Sequence, residues 1–371
     1  MRVIVIGSGI AGASAAYHLA RAGVEVVIVD AVHPGRATDA GAGIVSPWTS
    51  RGLDGALYDL AERAAVHYRD LVGQLEEDSG QGCSFEIAGG MVVSADADEL
   101  AEAQQRIAAR ARLSPYAGTV RRLDPGEARE LFPPLAPGLG AVHITGAGRV
   151  DGRVLRRALL GAAAGHGAVF HEGVAHLREA GGRVGGVEVA GRSLGADGVV
   201  VAAGAWSPAL VAPLGVRLAM SPQRGQISHF AVPDVDTAAW PVVLPVSSHY
   251  MLAFPGSRVV AGATRETGAG FDHRITAAGQ REVLEHALTV APGLAEATLL
   301  ETRVGFRPLS ADGAPLLGPL DSHPEVYVVS GFGPSGLTLG PYAGLLAATE
   351  LTGTAAPLDL GPLRPERITS R

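Results

Sequence analysis

Apolar positions along this chain switch between two periods, and the switches mark its elements. The β-branched run Val3-Ile4-Val5-Ile6 predicts a buried strand, and it stops at Gly7-Ser8-Gly9-Ile10-Ala11-Gly12. A helical stretch over residues 13–22 follows, then a second apolar run over 24–29 that ends in Asp30. Between residues 54 and 78, Leu57, Leu60, Ala61, Ala64, Tyr68, Leu71 and Leu75 fall at helical spacing, and Gly80 and Gly82 close the helix. Residues 85–94 predict a strand pair around Gly89-Gly90, and 99–113 a second helix. Pro133, Pro134 and Pro137 mark a loop, and Asp151 stands as the N-cap of a helix through Ala164. A strand at 169–172, a glycine-rich hairpin at 180–192 and a buried strand over 197–206 come next. Residues 222–265 are strand-rich, 277–290 helical, and 301–353 read as strand, loop, strand, glycine-rich loop, helix.

The opening segment has the chemistry of a dinucleotide seat. Gly7 permits a tight turn out of the strand, Gly9 lets a pyrophosphate approach the backbone, and Gly12 lets the helix pack close to the sheet. The helix N-terminus offers free N–H groups and partial positive charge to phosphates. Asp30, 18 residues after Gly12, ends the second strand where a carboxylate accepts from a ribose 2′-OH, and its charge opposes the 2′-phosphate of NADP. The alternative is an ordinary βαβ turn with accidental glycines. Dinucleotide-type elements recur at 146–206 and at the end of the chain, with strand-rich pieces between. The expected fold is therefore α/β, an α+β two-domain chain. A Rossmann-like domain is assembled from 1–83, 146–220 and 306–371, and a sheet-rich substrate domain is inserted twice, as 84–145 and 221–305.

Composition narrows the class. With 371 residues, 47% hydrophobic, the chain can bury a large core. Its net charge is −7, and the densest arginine cluster (Arg106, Arg110, Arg112, Arg121, Arg122) is broken by acids and reads as a solvated helix face, so nucleic acid is not expected as a partner. Cys83 is alone, which precludes an intramolecular disulfide. No basic leader precedes the first strand, and the apolar stretches 198–216 and 336–349 are interrupted by Gly and Pro, so no membrane span and a cytoplasmic location are expected. No lysine occurs, which excludes Schiff-base and P-loop lysines. His171 and His176 are five apart, unlike a zincin pair, so no metal is expected.

Four segments together resemble the D-amino acid oxidase superfamily of FAD-dependent amine oxidoreductases over nearly the whole chain. They are residues 7–30; Ala40-Gly41-Ala42-Gly43-Ile44; residues 199–206; and Gly305-Phe306-Arg307-Pro308 with Asp312-Gly313-Ala314-Pro315, Gly318 and residues 330–339. The last is the most specific, and the pattern is most similar to glycine oxidase and D-amino acid dehydrogenase. The resemblance implies FAD, held without a covalent bond because Cys83 is far from the position of the linking cysteine in sarcosine oxidase. It implies cofactor contacts at Gly7, Gly9, Ile10, Ala11, Gly12, Asp30, Ala31, Ala42, Gly43, Ile44, Val174, Ala203, Gly204, Trp206, Arg307, Gly331, Gly333, Gly336, Leu337 and Thr338. Tyr250 and Arg307 are expected to grip a substrate carboxylate, with Ile44 and Trp48 shaping the pocket.

The implied reaction is oxidative deamination of a glycine-like or D-amino acid. Hydride passes from the α-carbon to flavin N5, and the imine hydrolyses to a 2-oxo acid and ammonia. The partners are then a small amino acid or amine, oxygen or another electron acceptor, and in some members a second copy of the chain. Oxidation of an N-methyl or cyclic secondary amine is the competing reaction, and a non-catalytic FAD subunit the competing class. The residues also admit structural roles: Arg307 as an ion pair with Glu301 or Asp312, Tyr250 and Trp48 as core, and the 331–336 loop as a plain helix cap. Arg265, counted as catalytic, stands where sarcosine oxidase has a lysine; it faces the flavin, binds an acid group, or points to solvent. Pro334-Ser335 replaces a second arginine of glycine oxidase.

Overall fold

In this computed structural model, residues 1–247 and 249–370 are described, apart from the side chain of Ser370. The strands β1 (Arg2–Ile6) and β2 (Glu25–Asp30) pair in parallel around the helix α1 (Ile10–Arg21), which begins three residues earlier than its periodicity predicts. They form the middle of a six-stranded sheet. Its order is Leu316–Leu320, His323–Ser330, Gly198–Val201, β1, β2, Val169–Glu172, and all but the first strand run parallel to their neighbours. Strand side chains alternate between faces. Val3, Val5, Val26, Ile28 and Val200 therefore meet the helices, while Ile4, Ile6, Val27, Val29 and Val199 meet Val184, Val187 and Val189 of the predicted glycine-rich hairpin. Burial on both faces explains why these strands read as continuous apolar runs.

On the helical face, α1 packs against the last helix, Gly336–Leu351, with little between the backbones. A Cβ on Gly344 would sit 2.6 Å from Ala15 N, and one on Gly340 2.7 Å from the Ile10 side chain. Pro341 lies inside that helix and has no N–H, so the carbonyl four residues earlier, at Leu337, loses its helical donor. The Tyr68 hydroxyl, on the long helix Gly55–Ser79, donates to that carbonyl, and Ser14 Oγ donates to Pro341 O at 2.6 Å.

The second layer is a nine-stranded sheet. Along its path lie Glu266–Thr267, Met220–Ala231, Arg258–Gly262, Tyr250–Phe254, Val242–Pro245, Gly90–Ser94, Gly140–Ile144 and Val120–Leu123, with Thr298–Ser310 also paired to Met220–Ala231. The predicted helix at 277–290 is found at those bounds and packs on it. Three expectations change. Residues 86–87 pair with Gly148–Arg149, while 90–94 lie between Val242–Pro245 and Gly140–Ile144, so they are not a hairpin. The expected boundary at 305/306 falls inside the strand Thr298–Ser310, because Gly305 and Phe306 continue its pairing with Gly225 and Arg224. The arginine cluster is not one solvated face. Arg121 and Arg122 lie on a strand, and Arg110 donates to the carbonyls of Pro47, Trp48, Ser50 and Leu53. Among the described residues no helix is long and apolar enough to cross a membrane.

Removing the Tyr68 hydroxyl strands the Leu337 carbonyl in the core. Tyr68→Phe is expected to lower unfolding free energy by about 1–3 kcal/mol, read by denaturant titration. A second prediction concerns His18 and His67, buried side by side with ring centroids 5.6 Å apart. Burial, then the charges of His67 and Arg21, push His18 down to about 3, and burial pushes His67 down to about 4. Below the ordinary value of 6.5 the unfolded chain takes up protons that the folded chain does not, so their contribution is complete above that pH and declines as pH falls toward 4. Each contributes up to about 1.4 kcal/mol per pH unit in that window. Melting temperature should fall from pH 6.5 to 4.5, less steeply in His67→Gln.

Candidate functional site

A cavity of about 570 Å³ opens between the two sheets. One end is the turn from β1 into α1. Gly7 sits at φ +99°, and a Cβ there would lie 2.4 Å from Ala202 O. A Cβ on Gly12 would come within 1.9 Å of Gly7 O, so Gly12 sets how closely the helix seats on the turn without lining the cavity itself. Gly9, Ile10 and Ala11 do line it. No side chain of the N-cap residue closes the helix, its first turn carries no acid, and Ile10 N donates to Thr38 Oγ1 at 2.9 Å. The end is thus built to receive an anion.

Asp30 and Ala31 border this end. Asp30 Oδ2 accepts from Ser8 N at 2.6 Å and Ser8 Oγ at 2.5 Å, Oδ1 accepts from Val32 N at 2.6 Å, and Arg36 lies 3.9 Å away. Burial raises this carboxyl, but the Ser8 and Val32 hydrogen bonds and the Arg36 charge outweigh burial and hold it below the usual carboxylate range. Arg156 reaches Ser8 from the helix Gly152–Gly165, its NH2 2.6 Å from Ser8 Oγ. Ser8, Arg36, Thr38 and Arg156 escape the sequence reading. Arg36 and Thr38 follow β2 without a motif, and Arg156 is distant in the chain.

Ala42, Gly43, Ile44, Ala203, Gly204 and Trp206 also line the cavity, as does Val174, which follows Gly173 beside Asp30. Gly43, at φ +95°, has no room for a Cβ, which would fall 1.7 Å from Val150 O. Val150 N donates to Gly43 O at 2.8 Å, and Thr338 Oγ1 donates to Ile44 O at 2.8 Å, tying this loop to the last helix. The Trp206 ring stacks between His33 and Phe271, at 4.9 Å from each.

Tyr250, Arg265 and Arg307 meet at the far end, facing the start of the last helix at Gly333, Gly336, Leu337 and Thr338. That helix also begins without a side-chain cap or an acid in its first turn. Arg307 NH1 donates to Thr264 O at 2.9 Å and to Gln223 Oε1 at 3.4 Å, and its guanidinium lies over Gly225, where a Cβ would approach to 2.6 Å. Glu301 instead pairs with Arg303 at 2.5 Å and Asp312 with Arg367 at 2.6 Å, so neither structural ion pair of Arg307 forms. Burial raises the Tyr250 hydroxyl against the opposing charges of Arg307 and Arg265, so it stays protonated and able to donate. Burial, and then the charge of Arg265, lower Arg307; a guanidinium nonetheless keeps its proton. Of the other expected residues, Gly331 makes the turn into this helix at φ +78° and does not border the cavity, and Trp48 is buried in the core, 2% exposed. Arg265 is exposed and borders both this cavity and a second chamber of about 290 Å³ that shares Ile44, Tyr250, Pro334 and Thr338 with it.

The chain has recognisable relatives. The sequence pattern of the DAO family, FAD dependent oxidoreductase, matches residues 2–350. The uncharacterized oxidoreductase YurR of Bacillus subtilis (strain 168) is 45% identical over 363 residues, covering 98% of each chain. The crystal structure of iminodiacetate oxidase (IdaA) from Chelativorans sp. BNC1 superposes with a TM-score of 0.96 at 47% identity, covering 98% of this chain and 99% of that one. Glycine oxidase of Geobacillus kaustophilus (strain HTA426) is 30% identical over 374 residues, covering 97% of this chain and 95% of its own.

The residues present fit FAD. Gly7 and Gly9 leave the backbone bare beside an uncapped helix start, Asp30 offers an acid for a ribose, and a second uncapped helix start faces the opposite end. Replacing Asp30 by Ala is expected to raise the Kd for FAD at least tenfold, which is about 1.4 kcal/mol. Flavin fluorescence on titration of the protein measures it.

Proposed function

This chain belongs to the DAO family of FAD-dependent oxidoreductases, and we propose that it oxidises a secondary amine of the N-substituted glycine type. The observation that carries the reading is the arrangement around Arg265. A carboxylate clamp, Arg307 with Tyr250, lies on one side of it, and a second chamber continues on the other. Glycine alone would leave that chamber without a role, whereas a substituent on the amine nitrogen extends into it. The similarity to an iminodiacetate oxidase supports the same direction.

Arg307 binds the α-carboxylate through its guanidinium, a match of planar donors to planar acceptor. Thr264 O and Gln223 hold the guanidinium, and Gly225, without a Cβ, makes room for it against the strand backbone. Thr264 is itself fixed, because its Oγ1 donates to Glu266 at 2.7 Å and accepts from Gln226 N at 3.0 Å. Glu266 also accepts from Arg224 at 2.5 Å. Tyr250, neutral, donates a hydrogen bond to the same carboxylate. Ile44 excludes water on the side of the flavin loop. The turn at Gly7 and Gly9, Asp30, the 42–44 loop and the start of the last helix would hold FAD. Bound FAD supplies the two-electron acceptor for the α-C–H bond, and water splits the resulting imine into glyoxylate and the amine. Orientation is the protein's main contribution.

A glycine-like primary amine remains a second reading, favoured by the 30% identity to a glycine oxidase and by the same clamp. Anaerobic mixing of the yellow holoenzyme with iminodiacetate, sarcosine, glycine, proline and D-alanine separates the two. Bleaching should be fastest with the N-substituted glycines; bleaching by D-alanine or glycine alone would overturn the proposal. Oxygen uptake in the same assay shows whether oxygen is the acceptor. Arg307→Ala should weaken apparent substrate affinity by the ~1.5–3 kcal/mol of a charged hydrogen bond, and unchanged affinity would remove Arg307 from the clamp.

A further inference from the structure

The second chamber is lined by three guanidinium side chains, those of Arg51, Arg106 and Arg265, and by no carboxylate among the described residues. Arg106 stands out chemically. The side chain borders the chamber, while its Nε and one terminal nitrogen are closed off from it and have no hydrogen-bond partner among the described residues, a costly arrangement for a charged donor. The nearest charges make matters worse: after burial itself, Arg51 and then Arg110 lower its affinity for a proton, and only Glu102 opposes them. The position of Arg51 is fixed indirectly, since Arg110 gathers the carbonyls of Pro47, Trp48, Ser50 and Leu53 and so anchors the segment that carries it. The chamber therefore holds concentrated positive charge beside hydroxyls of Ser50 and Ser247, against an apolar wall at Leu53 and Leu244. Such a lining suits an anion.

We propose that Arg106, with Arg51, binds a second carboxylate carried on the nitrogen substituent of the substrate, and that this chamber selects N-carboxyalkyl glycines over sarcosine and glycine. The inference rests on the proposed N-substituted glycine reading. Arg265 stands between the two carboxylate positions, bordering both cavities. The α-carboxylate on Arg307 and the distal carboxylate on Arg106 would then hold the amine by both ends, so that only a molecule with both anions is fully constrained.

The test compares Arg106→Gln, Arg106→Lys and Arg51→Gln with the parent holoenzyme, each checked for FAD content and melting temperature. Arg106→Gln should lower kcat/KM for iminodiacetate and for N-(2-carboxyethyl)glycine at least tenfold while leaving sarcosine within twofold. Arg106→Lys should restore part of the loss. Equal losses on sarcosine and iminodiacetate, or no loss on iminodiacetate, would overturn the proposal. A binding measurement keeps it separate from the reaction. Succinate and acetate are titrated against the visible spectrum of the bound flavin. Arg106→Gln should raise the succinate Kd at least tenfold and leave acetate unchanged. If no N-substituted glycine bleaches the parent enzyme, the functional reading fails, and the succinate titration still decides whether the chamber takes a second carboxylate. An equal effect on both ligands, or none on succinate, overturns it there too.

Discussion

The near contact between the first and last helices is the constraint on which the remaining structure depends. Gly340 and Gly344 remove the side chains that would separate them, and the helix starts at Ile10 and Gly336 both border the cavity. Two uncapped N-termini facing one space give it positive potential from both, suited to anionic groups. The cost of this arrangement falls on Pro341, whose missing N–H leaves a carbonyl orphaned in the core. Tyr68 answers it from a third helix, and Ser14 of the first helix donates to Pro341 O, so two hydrogen bonds tie both neighbours to the last helix. Separating any of them would displace the cofactor seat and the 44–338 hydrogen bond together.

Charge is the second organising feature. Among the described residues, the permanent cations lining the two cavities are all arginines, in a chain without lysine. Guanidinium keeps its proton even when burial and like charges oppose it. The protein can therefore cluster Arg51, Arg106, Arg265 and Arg307 without losing charge, where ammonium groups would neutralise. Some of these side chains are satisfied from within: Arg307 by a carbonyl and a glutamine, Arg110 by four carbonyls. Arg106 differs from both, since two of its nitrogens have no hydrogen-bond partner among the described residues.

The sequence shows most of the cofactor side of this arrangement, because that side is local. The glycines, Asp30, the 42–44 loop and the final glycine-rich turn each lie within a few residues of an element boundary, where spacing alone reports their purpose. Almost all of them line one cavity. The substrate side is less legible. Tyr250, Arg265 and Arg307 were readable through resemblance, but Arg51 and Arg106 come from a loop and a helix with no motif. The same helix supplies Arg110, which periodicity places on a wet face and which tertiary packing turns inward to backbone carbonyls. Trp48 shows the converse: a large aromatic residue beside the flavin loop serves the core. Residues 86–94 mislead for a related reason, since two adjacent strands with a glycine turn suggest a hairpin until the rest of the chain supplies better partners.

The strand Thr298–Ser310 carries a mechanical consequence. Phe306 N donates to Gly35 O at 2.9 Å beside the dinucleotide turn, while its neighbours Gly305 and Arg307 pair with Gly225 and Gln223 of the other sheet. One continuous piece of backbone is therefore bonded to both bodies at the depth of the reacting centre. Opening the two sheets there as jaws around a hinge would break that backbone bond. The separation of the two sheets at that depth is thereby tied to main-chain geometry.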